Sequence, residues 1–245
     1  MKISLTEMIA ENYADVSERL AAAACSVGRD AGVIKLIVVA KGHTVEVAQA
    51  AIQAGAKYLG ENYVQDALPK IETLADADVE WHMIGHVQSR KARDVVENFA
   101  WMHSLDRLKL ARRCDQFAAQ ANRKLPVLLE CNVSGEVSKH GWPVWDESRW
   151  SVFAEELAPV FDFDHLEVRG LMTMPPFEHN PEDARPYFQK LCRLRDFLSD
   201  HFPQTDWREL SMGMSNDFEV AIQEGATIIR VGTAIVGARS YGRIR

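Results

Sequence analysis

The sequence predicts a (β/α)8 barrel, the TIM-barrel class of α/β fold, built as a single domain over residues 1–245 with an extra helix ahead of the barrel. Three observations carry this reading. Short apolar runs alternate eight times with longer amphipathic segments. No break in composition divides the chain. Its 245 residues are close to the ~250 typical of such a barrel. An open doubly wound sheet is the other candidate, and the absence of a GxGxxG after the first strand weighs against it.

The extra helix is expected over about residues 5–28, where Met8, Ile9, Tyr13, Val16 and Leu20 share one face and Gly28 offers a stop. The barrel then runs over about residues 34–239. Its first strand is Leu36–Ala40, followed by a helix at 44–54 that ends at Gly55. The second, third and fourth runs are Tyr58–Gly60, Trp81–Gly85 and Trp101–Leu105, with helices at 63–74, 89–98 and 107–121. Pro126–Val133 is the fifth, and a Gly/Trp-rich loop at 135–145 leads to a helix at 148–157. Leu166–Met174 is the sixth, with a helix at 182–199. The seventh run is Glu209–Met214, after which Asn216 is placed to cap a short helix with Glu219 as its capping-box partner. Thr227–Gly232 is the eighth.

Composition narrows the function classes. Twenty-eight Lys and Arg against 35 Asp and Glu leave a net charge of −7, so neither nucleic acid nor an anionic membrane is an expected partner. Cys25, Cys114, Cys131 and Cys192 are widely spaced, with no CxxC and no Cys/His cluster, so no metal site and no disulfide framework is expected. Acidic residues interrupt the N-terminus where a signal peptide needs an apolar core, and no run of ~18 apolar residues exists. A soluble cytoplasmic protein is the expectation.

In this fold the chemistry sits where strands end. Of ten lysines, Lys41 alone directly follows a buried aliphatic run. Desolvation there would leave part of it as free amine, able to form a Schiff base with an aldehyde; the alternative is a side chain that snorkels to solvent. Arg230 lies inside Ile-Ile-Arg-Val-Gly, where alternation groups it with Ile228 and Gly232. A buried arginine needs an acceptor, either a structural partner, as expected for Arg169, or a ligand atom such as a ring nitrogen. Gly232-Thr233 and the loop Ser211–Ser215 close the last two strands, the usual place of a barrel's phosphate site. His82 and His86 are spaced i, i+4, but on a strand and turn that spacing does not bring two ligands together. Trp142, Trp145 and Trp150 are read as packing residues.

Six segments together carry a family resemblance: Gly60-Glu-Asn-Tyr-Val-Gln65, Trp81-His-Met-Ile-Gly-His-Val-Gln-Ser89, His103-Ser-Leu-Asp-Arg107, Gly170-Leu-Met-Thr-Met174, Leu210-Ser-Met-Gly-Met-Ser215 and Arg230-Val-Gly-Thr-Ala-Ile-Val-Gly-Ala-Arg239. They resemble the pyridoxal phosphate homeostasis protein family, the YggS/PROSC family of single-domain barrels similar to the N-terminal domain of alanine racemase. The resemblance implies the cofactor pyridoxal 5'-phosphate (PLP), with Lys41 as the lysine of the internal aldimine and Arg230 facing the pyridine nitrogen. It further implies a phosphate cup of Ser211, Gly232 and Thr233, with Asn62 near the ring. One departure is visible: Gly42-His43 follows the lysine where the family usually has Thr-Lys-Pro or a close variant, which should loosen that loop and could add a titrating group.

An arginine opposite the pyridine nitrogen keeps that nitrogen unprotonated and the ring a weak electron sink. The racemases' second domain, with its tyrosine base, is not expected here. The implied function is therefore a non-catalytic PLP carrier that holds the cofactor and delivers it to PLP-requiring apo-enzymes, as a monomer. The alternatives are a PLP-dependent amino-acid racemase and a Schiff-base aldolase.

Overall fold

A computed structural model describes residues 3–238. Arg239, the last residue of the expected barrel range, lies outside the described residues. The elements, in order, are α1 (Leu5–Ser26), β1 (Lys35–Val39), α2 (Val45–Gln53), β2 (Tyr58–Glu61), α3 (Val64–Thr73), β3 (Glu80–Met83), α4 (Ala92–Asn98), β4 (Trp101–Leu105) and α5 (Leu108–Gln120). They continue with β5 (Leu125–Asn132), β6 (Trp142–Pro143), α6 (Trp150–Leu157), β7 (Leu166–Met172), α7 (Arg185–His201), β8 (Glu209–Ser211), α8 (Phe218–Gln223), β9 (Ile228–Val231) and α9 (Thr233–Val236).

The strands pair in parallel in the order β4-β3-β2-β1-β9-β8-β7-β5, and β4 also pairs with β5, which closes an eight-stranded barrel. Parallel strands covered by helices are buried on both faces, which is why they read as near-continuous apolar runs. The expected fold class is the one observed. Among the described residues, no helix is long and apolar enough to cross a membrane.

α1 begins at a reciprocal capping box, in which Ser4 Oγ accepts from the Glu7 amide at 3.2 Å and Glu7 Oε2 accepts from the Ser4 amide at 2.8 Å. Ile9, Val16 and Leu20 are its buried stripe, as the periodicity indicates. The helix packs on α2, α8 and α9, and Arg19 and Asn12 pin it to Glu219 and to the Ile235 carbonyl. It therefore covers the seam where the last strand meets the first.

Two local expectations change. The loop at 135–145 contains β6, which pairs with the end of β5 (Cys131↔Trp142, Asn132↔Pro143). Trp142 anchors it: the indole is buried and donates to the Leu105 carbonyl at 2.9 Å. Near residue 216 the helix begins one residue later than expected, at Phe218. Asp217 Oδ1 holds the preceding turn by accepting from the Met214 amide at 2.6 Å. Asn216 instead donates to the Glu178 carbonyl, and Glu219 pairs with Arg19. Gly213, in the same turn, sits at φ +91°, and a side chain there would place its Cβ 2.6 Å from that of Ala221.

Inside the barrel, one apolar layer is made by Ile37, Leu128, Met172 and Ile228, with Tyr58 and Trp101 against it. Polar residues are buried as well, among them His82, His103, Ser104, Thr173, Ser211 and Arg230. A barrel that keeps buried polar groups must bond them to each other or to a ligand.

Candidate functional site

β1 delivers Lys41 to the barrel mouth. The strand's last hydrogen bond runs from the Ala40 amide to the Gly60 carbonyl at 3.0 Å, and a turn follows, closed by the His43 amide on the Ala40 carbonyl at 3.2 Å. Gly42 takes φ +70° in that turn, a left-handed position that glycine occupies without strain. The glycine thus suits the backbone that this turn requires. From α3, a second lysine reaches in. Lys70 Nζ is buried and donates to the Ala40 carbonyl at 2.8 Å and to Glu61 Oε1 at 2.6 Å. It fixes the residue on which Lys41 depends.

Half-buried Lys41 lines a cleft of about 240 Å3, with Asn62 from the end of β2, Arg230 from β9, and Gly232 and Thr233 from the start of α9. The volume lies just below the range for small-molecule sites, about 300–1,000 Å3. Asn62 Oδ1 is buried without a partner among the described residues. Arg230 is the back wall. Its guanidinium donates to Ser211 Oγ at 2.5 Å and to the Thr173 carbonyl at 2.8 Å. Burial pulls it down to about 10, with Asp217 and Glu130 opposing, so the group keeps its charge at neutral pH. Behind it, His103 Nδ1 stands 2.9 Å from Ser211 Oγ, and His103 Nε2 stands 2.9 Å from His82 Nδ1. Burial lowers both imidazoles, His103 the further, so both rings are neutral.

Five of the six residues singled out in the sequence therefore line one cleft: Lys41, Asn62, Arg230, Gly232 and Thr233. Ser211 does not; it is buried in the barrel interior between Arg230 and His103. The serine at the cleft is Ser215, whose Oγ accepts from the amides of Gly232 at 3.2 Å and Ala234 at 3.3 Å. It closes the same Ser-Met-Gly-Met-Ser segment, so the motif was the signal and only the choice of serine differed. His82 and His86 do not meet, and Arg169 is the expected structural ion pair, with Glu167 and Asp206.

A second cleft of about 660 Å3 adjoins the first, sharing Asn62 and Met174, and Glu130 lines it. Glu130 is buried, its Oε2 has no partner among the described residues, and burial pushes the carboxyl up to about 7, with Asp106 adding to the shift while Arg230 and Arg107 oppose it. Its folded value is above the unfolded one. Its contribution to stability is therefore whole at low pH and is lost as pH rises through 7. Between pH 4 and 8 the loss is on the order of 3 kcal/mol. Urea unfolding at the two pH values is expected to show Glu130→Gln losing less stability than the parent by that amount; parallel curves would refute it.

The chain matches the alanine racemase N-terminal domain family over residues 6–240. It is 42% identical over 235 residues to a pyridoxal phosphate homeostasis protein of Aquifex aeolicus, covering 94% of this chain and 98% of that one. The namesake protein of Pseudomonas aeruginosa is 42% identical over 234 residues, covering 96% of this chain and 97% of its own. The chain belongs to the pyridoxal phosphate homeostasis protein family. Among solved structures, PipY of Synechococcus elongatus with PLP bound is 34% identical, superposes with a TM-score of 0.78, and is matched over 91% of this chain and 100% of its own.

For a member of the pyridoxal phosphate homeostasis family, the cleft can be tested against PLP on its own chemistry. PLP presents an aldehyde, a basic ring nitrogen and a phosphate. The cleft presents a lysine, a buried guanidinium, and a hydroxyl with backbone amides beside a helix start. The unpartnered Asn62 oxygen is a further group awaiting a donor. The donor set fits.

Proposed function

We propose that this chain binds PLP in the cleft at the barrel mouth and acts in PLP homeostasis as a carrier rather than as an enzyme. In this reading Lys41 Nζ condenses with the aldehyde, forming a carbon–nitrogen double bond and releasing one water. Arg230 faces the ring nitrogen, the groups around Ser215, Gly232 and Thr233 receive the phosphate, and Asn62 borders the ring. Bound PLP supplies a reactive aldehyde and an electron-accepting ring. The observation that carries the reading is the convergence of Lys41, Arg230 and the Gly232–Thr233 segment on one cleft.

Arg230 supports the carrier role. A guanidinium that stays charged does not protonate the ring nitrogen, so the ring withdraws electrons weakly and side reactions on captured amines are slow. The recipients in this reading are PLP-requiring apo-enzymes. A monomer is the expected state in this reading. The four cysteines are free, which accords with a reducing, cytoplasmic setting.

The test loads the purified full chain with PLP. The expected results are a visible absorption band, its bleaching by borohydride with the label on Lys41, and restoration of activity to an apo-enzyme in the presence of a scavenger for free PLP. A colourless protein, a label elsewhere, or amino-acid racemisation at enzyme-like turnover would overturn the reading.

A further inference from the structure

Beside the cofactor cleft lies a donor cluster that the PLP reading leaves unused. His86 lies after β3, Asp106 follows β4, and His140 sits between β5 and β6. One ligand atom from each lies within 4.8 Å of the others. We propose that His86, Asp106 and His140 bind one divalent transition-metal ion of the zinc class on the wall of the second cleft.

The geometry is half built. His86 Nδ1 stands 3.0 Å from Asp106 Oδ2, close to the ~3.3 Å that separates neighbouring ligand atoms around a tetrahedral ion with bonds of about 2.0–2.1 Å. The third ligand stacks on the first: the His86 and His140 rings are 4.0 Å apart at 18°. Parallel stacked rings cannot both aim a lone pair at one ion, so binding swings one ring out of the stack. His140 is exposed and has room to do so.

The carboxylate is prepared for such a role. Its Oδ1 is held by the Arg107 guanidinium, which leaves Oδ2 to face His86. Arg107 also donates to the Val87 carbonyl at 2.8 Å, fixing the residue next to His86. Ligating carboxylates and their neighbours are ordinarily oriented in this way by an outer layer of hydrogen bonds. A second, independent observation points to a cation. Glu130, buried and with one oxygen unpartnered among the described residues, lines the same cleft as His86 and His140. An ion held by His86, Asp106 and His140 would place a positive charge in the cleft that Glu130 lines.

Two imidazoles and one carboxylate select against magnesium and calcium, which favour oxygen ligands, and suit zinc, nickel or copper. Three protein ligands leave a fourth position open to the cleft.

The test titrates zinc chloride into the metal-stripped full chain without PLP, by calorimetry and by competition with a chromogenic chelator. One ion per chain is expected. His140→Ala, on an exposed loop, is expected to keep its circular dichroism and lose at least about 100-fold in affinity, as is His86→Ala. His179→Ala, also exposed, is the unchanged control. Cobalt is expected to give visible bands that His140→Ala abolishes. No stoichiometric binding, equal binding by the double His86→Ala/His140→Ala variant, or equal affinity for magnesium would each overturn the site.

Discussion

Lys41→Ala is expected to abolish covalent capture of PLP while leaving the barrel folded. The side chain is half-buried on a turn at the cleft rim, outside the packed layers, and truncations at such positions usually change stability by no more than about 0.5 kcal/mol. What disappears is the one amine among the described residues that lines the cofactor cleft. Arg230, Ser215 and the amides near Gly232 would still attract the ring and phosphate, so weak reversible binding should persist. A loss on the order of 100-fold in affinity corresponds to about 2.8 kcal/mol. Lys41→Arg is the sharper comparison, because it keeps the charge and cannot form the carbon–nitrogen double bond. Absorption spectra, borohydride trapping and equilibrium dialysis measure the effect. A variant that still traps PLP at wild-type yield would place the chemistry on another residue.

The larger effect on stability is expected at Lys70. Its ammonium group lies between the Ala40 carbonyl and the fully buried Glu61, whose second oxygen has no partner among the described residues. Burial raises the Glu61 carboxyl above its ordinary value even with Lys70 opposing. Lys70→Met leaves that carboxylate buried without its countercharge, while the Ala40 carbonyl keeps the His43 amide as its donor, a loss of about 3–5 kcal/mol. The pH dependence has a definite sign. A carboxyl raised on folding contributes stability that is intact below its unfolded value, about 4.3, and is lost as pH rises through the folded value. Removing Lys70 raises the folded value further, so the variant's deficit should be large at pH 8 and small at pH 5. Lys70→Met with Glu61→Leu should recover most of the loss, since two apolar groups replace an ion pair at little cost. Urea unfolding of the single and double variants decides it. A deficit that does not change with pH would show that Glu61 is not the cause.

Eight parallel strands were legible because each is short, largely apolar and covered on both faces. Lys41 and Arg230 were legible for the converse reason: a charge next to or inside such a strand is conspicuous. The same burial hides other things. In a strand apolar on both sides, alternation does not say which side faces the barrel axis, so the His82–His103 contact has no local signal. Lys70 occupies an ordinary amphipathic helix, and its inward reach depends on where Glu61 and the Ala40 carbonyl come to rest. β6 forms only because Trp142 finds the Leu105 carbonyl 37 residues away in sequence. Ser211 and Ser215 are equivalent in composition and are separated only by the turn at Gly213. Each of these depends on contacts distant in sequence.

The row of groups behind Arg230 has a built-in polarity. A guanidinium can only give hydrogens, so the Ser211 oxygen receives one, and among the described residues its own hydrogen has His103 Nδ1 as its acceptor. That nitrogen then carries no proton, and His103 holds its single hydrogen on Nε2, directed at His82 Nδ1. His82 is left with its hydrogen on Nε2, toward Glu80 Oε2 at 3.7 Å. One cation at the mouth thereby dictates the tautomer of two imidazoles down to the base of the barrel, and reversing any one of them would require reversing them all.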